Sequence, residues 1–339
     1  MVNIKRYISL NFTKNFLIIF IPFFLILSLG YIVQMSSLTA KIKITFSELL
    51  QLYTYAIPDI IFYTLPLSFI AALVNALVKL SQENELIALY SLGLKSNSIL
   101  KSIFPIGALF SILLICISFL AMPLSIQYFK SFKDTKKTEA KLNITAGEIG
   151  QKFGNYYIYI KEQKNNQFQD IVIYQYTNKN EEQFFSSTKG KINKIDNSTS
   201  LELDNGYVYT YTKDKLQQAK YQNMKIYNTH KIKNYQFKNI LKYWSKIKTD
   251  IKLKRKMFFL LLISLIPILS IYPIASFAMI NPRYQKNRSF SIIFVVTFLF
   301  YILASFLQKQ GSILLFLLII SSIVITSKWL FNKRVARFF

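Results

Sequence analysis

The 339 residues predict a polytopic α-helical membrane protein, with six transmembrane helices and an inserted all-β domain of jelly-roll-like kind. Three observations carry that prediction. Phe16–Gln34, Ile60–Val78, Ile99–Met122, Met257–Met279, Phe290–Leu307 and Ile313–Leu330 are almost free of charge. Each is about 18 to 24 residues long, enough to cross a hydrocarbon core about 30 Å thick. Between the third and fourth runs, the charge-rich stretch Lys130–Lys256 strings together aromatic and β-branched segments separated by turn formers. Basic residues, finally, collect at alternate span ends.

The first span follows Lys5, Arg6 and Lys14. Its apolar run is too long for a signal core and lacks a small-residue cleavage pattern, so it reads as a signal anchor. Lys79, Lys95 and Lys101 flank the segment between spans two and three. Arg283, Lys286 and Arg288 fill the loop between spans four and five, and Lys328, Lys333, Arg334 and Arg337 follow span six. Six spans put all four clusters on one side, which the positive-inside rule makes the cytoplasm. Both termini are then cytoplasmic, and the β domain lies outside, in the periplasm of a bacterium. The expected division is 1–129 for spans one to three, 130–250 for the β domain with an amphipathic connector, and 251–339 for spans four to six.

Between spans two and three lies a short amphipathic segment at about 81–94. Glu83 and Glu85 sit together, while Leu86, Leu89 and Leu94 recur at helical spacing. In the β domain, Tyr156–Ile160, Ile171–Tyr176, Gly206–Tyr211 and Met224–Tyr227 read as strands, with Asp204-Asn205-Gly206 as a turn. About eight to ten short strands fit, in an open sandwich or jelly-roll-like sheet. From Asn239, Ile240, Leu241, Trp244, Ile247 and Ile251 repeat at helical spacing amid lysines and form the connector.

Composition excludes several functions. The formal charge of +26 comes from lysines scattered over Lys130–Lys256 and from span ends, with no nucleic-acid recognition motif beside them. The single cysteine, Cys116, lies within an apolar run, and the single histidine, His230, has no Cys/His cluster around it, so no metal site is expected. No phosphate-binding loop, nucleophile elbow or zinc-protease motif is present. The spans hold almost no ionisable groups. Asp59, after Pro58, is the clear exception and is expected to cap a helix or sit at the interface. A lipid-modifying membrane enzyme would need more acidic or histidine groups near one face, and a sensor would need a cytoplasmic output domain.

Asn84-Glu85-Leu86-Ile87-Ala88-Leu89-Tyr90-Ser91-Leu92-Gly93 resembles the cytoplasmic coupling segment of the LptF/LptG permeases of lipopolysaccharide export. Arg6-Tyr7 ahead of the first span matches the family's opening. Asn281-Pro282-Arg283 resembles the loop after span four in the LptF branch. The order of three spans, a β domain and three spans agrees, so the resemblance covers nearly the whole chain.

The resemblance implies a non-catalytic subunit of an ABC transporter that pairs with a second permease of the family. Glu83, Glu85, Leu86, Leu89, Gly93 and Leu94 would dock on a separate cytoplasmic ATPase dimer, with Glu85 meeting a basic residue and Gly93 ending the helix. ATP and magnesium would belong to that ATPase, and this chain would bind no cofactor. Lipopolysaccharide would pass through the β domain to a periplasmic jelly-roll bridge and a membrane-anchored jelly-roll protein. Tyr31 and Gln34 stand where relatives carry cations at the outer end of span one. Lys41, Lys43, Lys130 and Lys133 become the candidates for lipid phosphates. The competing reading is a membrane subunit of another ABC-type exporter or mechanotransmitter, with a different lipid or a lipoprotein as cargo.

Overall fold

A computed structural model describes residues 4–39, 44–142, 146–153, 155–164, 167–177, 181–195, 198–212, 215–227, 237–280 and 288–337. Two units emerge. One joins 44–129 and 237–339 with the first 39 residues, and the other covers Lys130–Gln236.

The membrane unit begins with α1 (Ile4–Thr39) and α2 (Phe46–Gln82). The Thr45 N–H donates to the Glu48 carboxylate at 3.0 Å, one half of a capping box, which starts α2 well before the expected apolar run. A short helix α3 (Glu85–Ser91) precedes α4 (Ser96–Cys116), which passes through a π-turn at Ile117–Ala121 into α5 (Met122–Leu142). After the β domain come α6 (Ile240–Trp244), a 3-10 turn at Ser245–Lys248, and α7 (Ile251–Leu269). Then follow α8 (Ile271–Ala278), α9 (Ser289–Gln310) and α10 (Ile313–Phe331).

Among the described residues, five helices are long and apolar enough to cross a membrane, or six when α7 and α8 count as one span. That fourth span is broken, with a bend of 42°. Pro273 has no N–H to give the Leu269 carbonyl, and the helix stops at that residue. The Ser270 hydroxyl turns back to the Pro267 carbonyl at 3.3 Å. Gly107 of α4 packs at this bend. A Cβ there would come within 2.8 Å of Ile271 Cδ1 and 3.2 Å of the Pro267 carbonyl oxygen.

α2 is the central helix and packs against α1, α7, α8 and α9. Its buried face includes Phe62, Phe69, Leu73 and Leu77. Small polar groups join helices in the interior: Ser118 and Ser264 hydroxyls lie 3.3 Å apart, and the Ile268 N–H donates to Ser111 Oγ at 3.3 Å. The connector at 237–250, expected with the β domain, groups with the membrane unit instead. Buried Gln127 explains this: its amide donates to the Lys238 carbonyl at 3.2 Å and accepts from the Lys238 N–H at 2.7 Å.

The β unit is a single antiparallel sheet. Its strands β1 (Gln151–Phe153), β2 (Tyr156–Lys164), β3 (Gln167–Thr177), β4 (Glu181–Ile195), β5 (Ser198–Thr212) and β6 (Lys215–Tyr227) pair in sequence order. The domain is all-β, as expected, and every strand pairing is antiparallel. Its described strands number six, rather than eight to ten, and follow one another hairpin by hairpin.

A crease accounts for the difference. Lys161, Asp170, Thr188, Asn205 and Gln222 lie in one row across β2 to β6, at the position each ladder skips. Asp170 and Asn205 both have φ 51°, in the left-handed region. At this row the inward residues step by three instead of two: Phe168 to Ile171, Ser187 to Gly190, Leu203 to Gly206, Tyr221 to Met224. Each crossing strand therefore reads in sequence as two short strands. Asp204-Asn205-Gly206, expected as a turn, is the crossing in β5. Ser187 Oγ donates there to the Asp204 carbonyl at 2.8 Å, and the Tyr221 ring lies over Gly206. Inward side chains from both sides of the line, Ile158, Ile173 and Phe185 with Leu201, Leu203 and Ile226, share one core.

Candidate coupling site

The amphipathic segment is a seven-residue helix held between two left-handed residues. At the end of α2 the Glu83 N–H donates to Lys79 O at 2.9 Å and the Asn84 N–H to Ser81 O at 3.2 Å. Asn84 turns the chain at φ 58°, and its carbonyl accepts the first α3 bond, from the Ala88 N–H, at 3.1 Å. At the other end Gly93 has φ +79°. Its N–H donates to Tyr90 O at 2.9 Å, and the Leu94 N–H reaches Leu89 O at 3.2 Å. These are the two bonds of a Schellman motif, so Gly93 does end the helix as a left-handed cap.

The core takes one side of α3. Leu86 is 3 % exposed, and Leu89 and Tyr90 pack against the same cluster. Burial pushes the Tyr90 phenol above its ordinary range, partly offset by its hydrogen bond with Ser96. The outward apolar side chains are Ile87, 39 % exposed, and Leu92, 75 % exposed. Sequence spacing singled out Leu86, Leu89 and Leu94, but spacing cannot say which stripe the protein's own core claims. Glu83 is exposed and pairs with Lys79 at 3.7 Å.

Two contacts that the sequence did not reveal fasten this segment. The Tyr7 hydroxyl of α1 donates to the Glu85 carboxylate, 2.8 Å from Oε1 and 2.9 Å from Oε2. The buried Ser81 Oγ lies within donating distance of Leu77 O at 2.9 Å and Ala278 O at 3.1 Å, and accepts from the Ile280 N–H at 3.2 Å. Ile280 immediately precedes Asn281-Pro282-Arg283.

The other candidates do not join this cluster. Lys130 is exposed and Lys133 half-buried on α5. Lys41, Lys43, His230 and Asn281, Pro282 and Arg283 lie outside the described residues. Asp59 is not a helix cap, because α2 starts at Phe46 and places it mid-helix. Its Oδ1 is buried without a hydrogen-bond partner among the described residues. No group of three or more His, Cys, Asp or Glu side chains converges among the described residues.

A bundle of apolar helices long enough to cross a membrane, interrupted by an antiparallel sheet, defines a multi-pass membrane protein. Residues 6–333 match the family model described as lipopolysaccharide export system permease LptF/LptG, and the chain belongs to that family. No curated protein matches the chain. The family is a transporter component, and with the apolar helices it makes this a multi-pass protein of the inner membrane.

Proposed function

We propose that this chain is the membrane half of an ABC-type exporter that lifts lipopolysaccharide out of the inner membrane. It pairs with a second permease of the family and carries an ATPase dimer on its cytoplasmic face, where the nucleotide and magnesium are held. The β domain lies in the periplasm and hands the lipid to a jelly-roll bridge. Asn281-Pro282-Arg283 favours the LptF branch. The basic clusters at alternate span ends support this orientation, with both termini in the cytoplasm.

The observation that carries the reading is α3. In a chain of this family, a short helix anchored by Leu86 and framed by Asn84 and Gly93 turns Ile87 and Leu92 outward, with Glu83 exposed just before it. A charged and apolar surface of that kind suits docking into a groove of a soluble motor. Glu85, half-exposed, offers a carboxylate to a partner cation.

Purification of the tagged chain from its native membranes tests this. A second LptF/LptG-type permease and an ATPase are expected with it, and Glu85→Lys should lose the ATPase while keeping the permease. Recovery of neither partner, or full ATPase yield with Glu85→Lys, would overturn the proposal.

A further inference from the structure

Tyr7 constrains α3 directly, and Ser81 constrains the end of α2 to which α3 is joined. A helix of seven residues has little stability alone, so its contacts set its position. One contact runs to α1. Tyr7 sits in its opening turns, beside Ile8 and near Phe12, both buried. Those anchors fix the start of α1, so the phenol is presented from a firm base to both oxygens of Glu85. The other contact runs to α8 and the chain beyond it, through Ser81, the last residue but one of α2.

We infer that Tyr7 is a positioning residue for Glu85, and that Tyr7 and Ser81 are the two links by which displacement of α3 reaches α1 and α8 as well as α2. The inference rests on the coupling role proposed for α3. Because Glu85 carries both the link and the docking charge, a push on that carboxylate is a push on α1. Ser81 does the same for the broken span without touching the partner. Both side chains act through one polar atom, so each link can be cut with little change in volume.

The test uses the complex purified with this chain, reconstituted in proteoliposomes containing lipopolysaccharide, with ATP hydrolysis and lipid extraction read on the same preparation. Tyr7→Phe is expected to keep its ATPase and its melting temperature. The lipid extracted per ATP should fall by about tenfold or more, as for losing one hydrogen bond to a charged group. Ser81→Ala should lower the same ratio. In a Glu85→Gln background the phenol meets a neutral acceptor instead of a charge, so Tyr7→Phe should cost less there than beside the carboxylate. A wild-type ratio in Tyr7→Phe overturns the inference, as does an undiminished effect in the Glu85→Gln background. Failure to recover any ATPase with the unaltered chain brings down the functional reading first and this inference with it.

Discussion

The indole Nε1–H of Trp244 donates to the main-chain carbonyl of Phe119 at 2.9 Å, inside the π-turn where α4 passes into α5. A π-turn takes carbonyls out of the regular helical ladder, and this one finds its donor 125 residues away. The two rings also meet, with centroids 4.8 Å apart. The connector is thereby pinned to the spanning helix at its π-turn.

Trp244→Phe keeps a ring on Phe119 and removes the donor. The expected loss is about 1 kcal/mol, seen as a fall of roughly 2–4 °C in Tm of the detergent-purified protein. Trp244→Ala should cost more. An unchanged Tm for Trp244→Phe would mean that ring packing alone holds the connector.

Gly107→Ala is expected to destabilise by about 1–3 kcal/mol, because the new methyl meets a backbone carbonyl as well as a side chain at the α7–α8 bend. Gly93 has open space around it but a left-handed backbone, so Gly93→Ala should cost about 1 kcal/mol, through conformation rather than crowding. Denaturant titration of both variants checks the order. Equal tolerance of alanine at Gly107 and at an exposed helical site would contradict the close approach.

Leu86→Asp puts a carboxylate into the core and should lower stability by about 3 kcal/mol or more. Leu92→Asp, at an exposed position, should stay within about 0.5 kcal/mol of the parent while reducing recovery of the ATPase. Melting curves and co-purification yields separate the two. Normal ATPase yield with Leu92→Asp would remove Leu92 from the proposed docking surface.

Glu202 of β5 and Lys225 of β6 are directly paired across the ladder, 2.7 Å apart. The Lys225 ammonium, by hydrogen bond, holds the Glu202 carboxyl below its ordinary 4.5, and Glu202 in turn raises Lys225. For the depressed carboxylate, the stabilisation is complete above the unfolded pKa and disappears as pH falls through the folded one. For the raised lysine, it is present below the unfolded pKa and fades as pH rises through the folded value. Lys225→Met should therefore narrow its difference from the parent in acid, and carboxyl NMR should find Glu202 titrating below 4.5. An ordinary midpoint for Glu202 would deny the pair in solution.

Local signals in the sequence survived well. The spans follow from unbroken apolar length, and the end of α3 follows from a glycine where only a left-handed residue fits. The break at Ser270 was also legible in principle, since Pro273 removes a helical donor, but a long apolar run masks it. Contacts between distant residues were not legible. Tyr7 and Glu85 are 78 residues apart, and no periodicity in either segment points to the other. Leu86 and Leu92 look alike in sequence, and only the packing of α2 against α3 assigns one to the core and leaves the other outside. Asp204-Asn205-Gly206 misled because left-handed residues serve turns and strand kinks equally well.

The crease also limits how the β domain can change over generations. Asp170, Thr188, Asn205 and Gln222 occupy one row in neighbouring strands, and each adds a residue to its own strand's alternation. Losing one of them alone would turn half of that strand inside out against partners that kept theirs. A length change there is tolerable only when adjacent strands make it together, whereas the hairpins can grow or shrink one at a time. Insertions and deletions in this domain should therefore accumulate at the hairpin tips and spare that row.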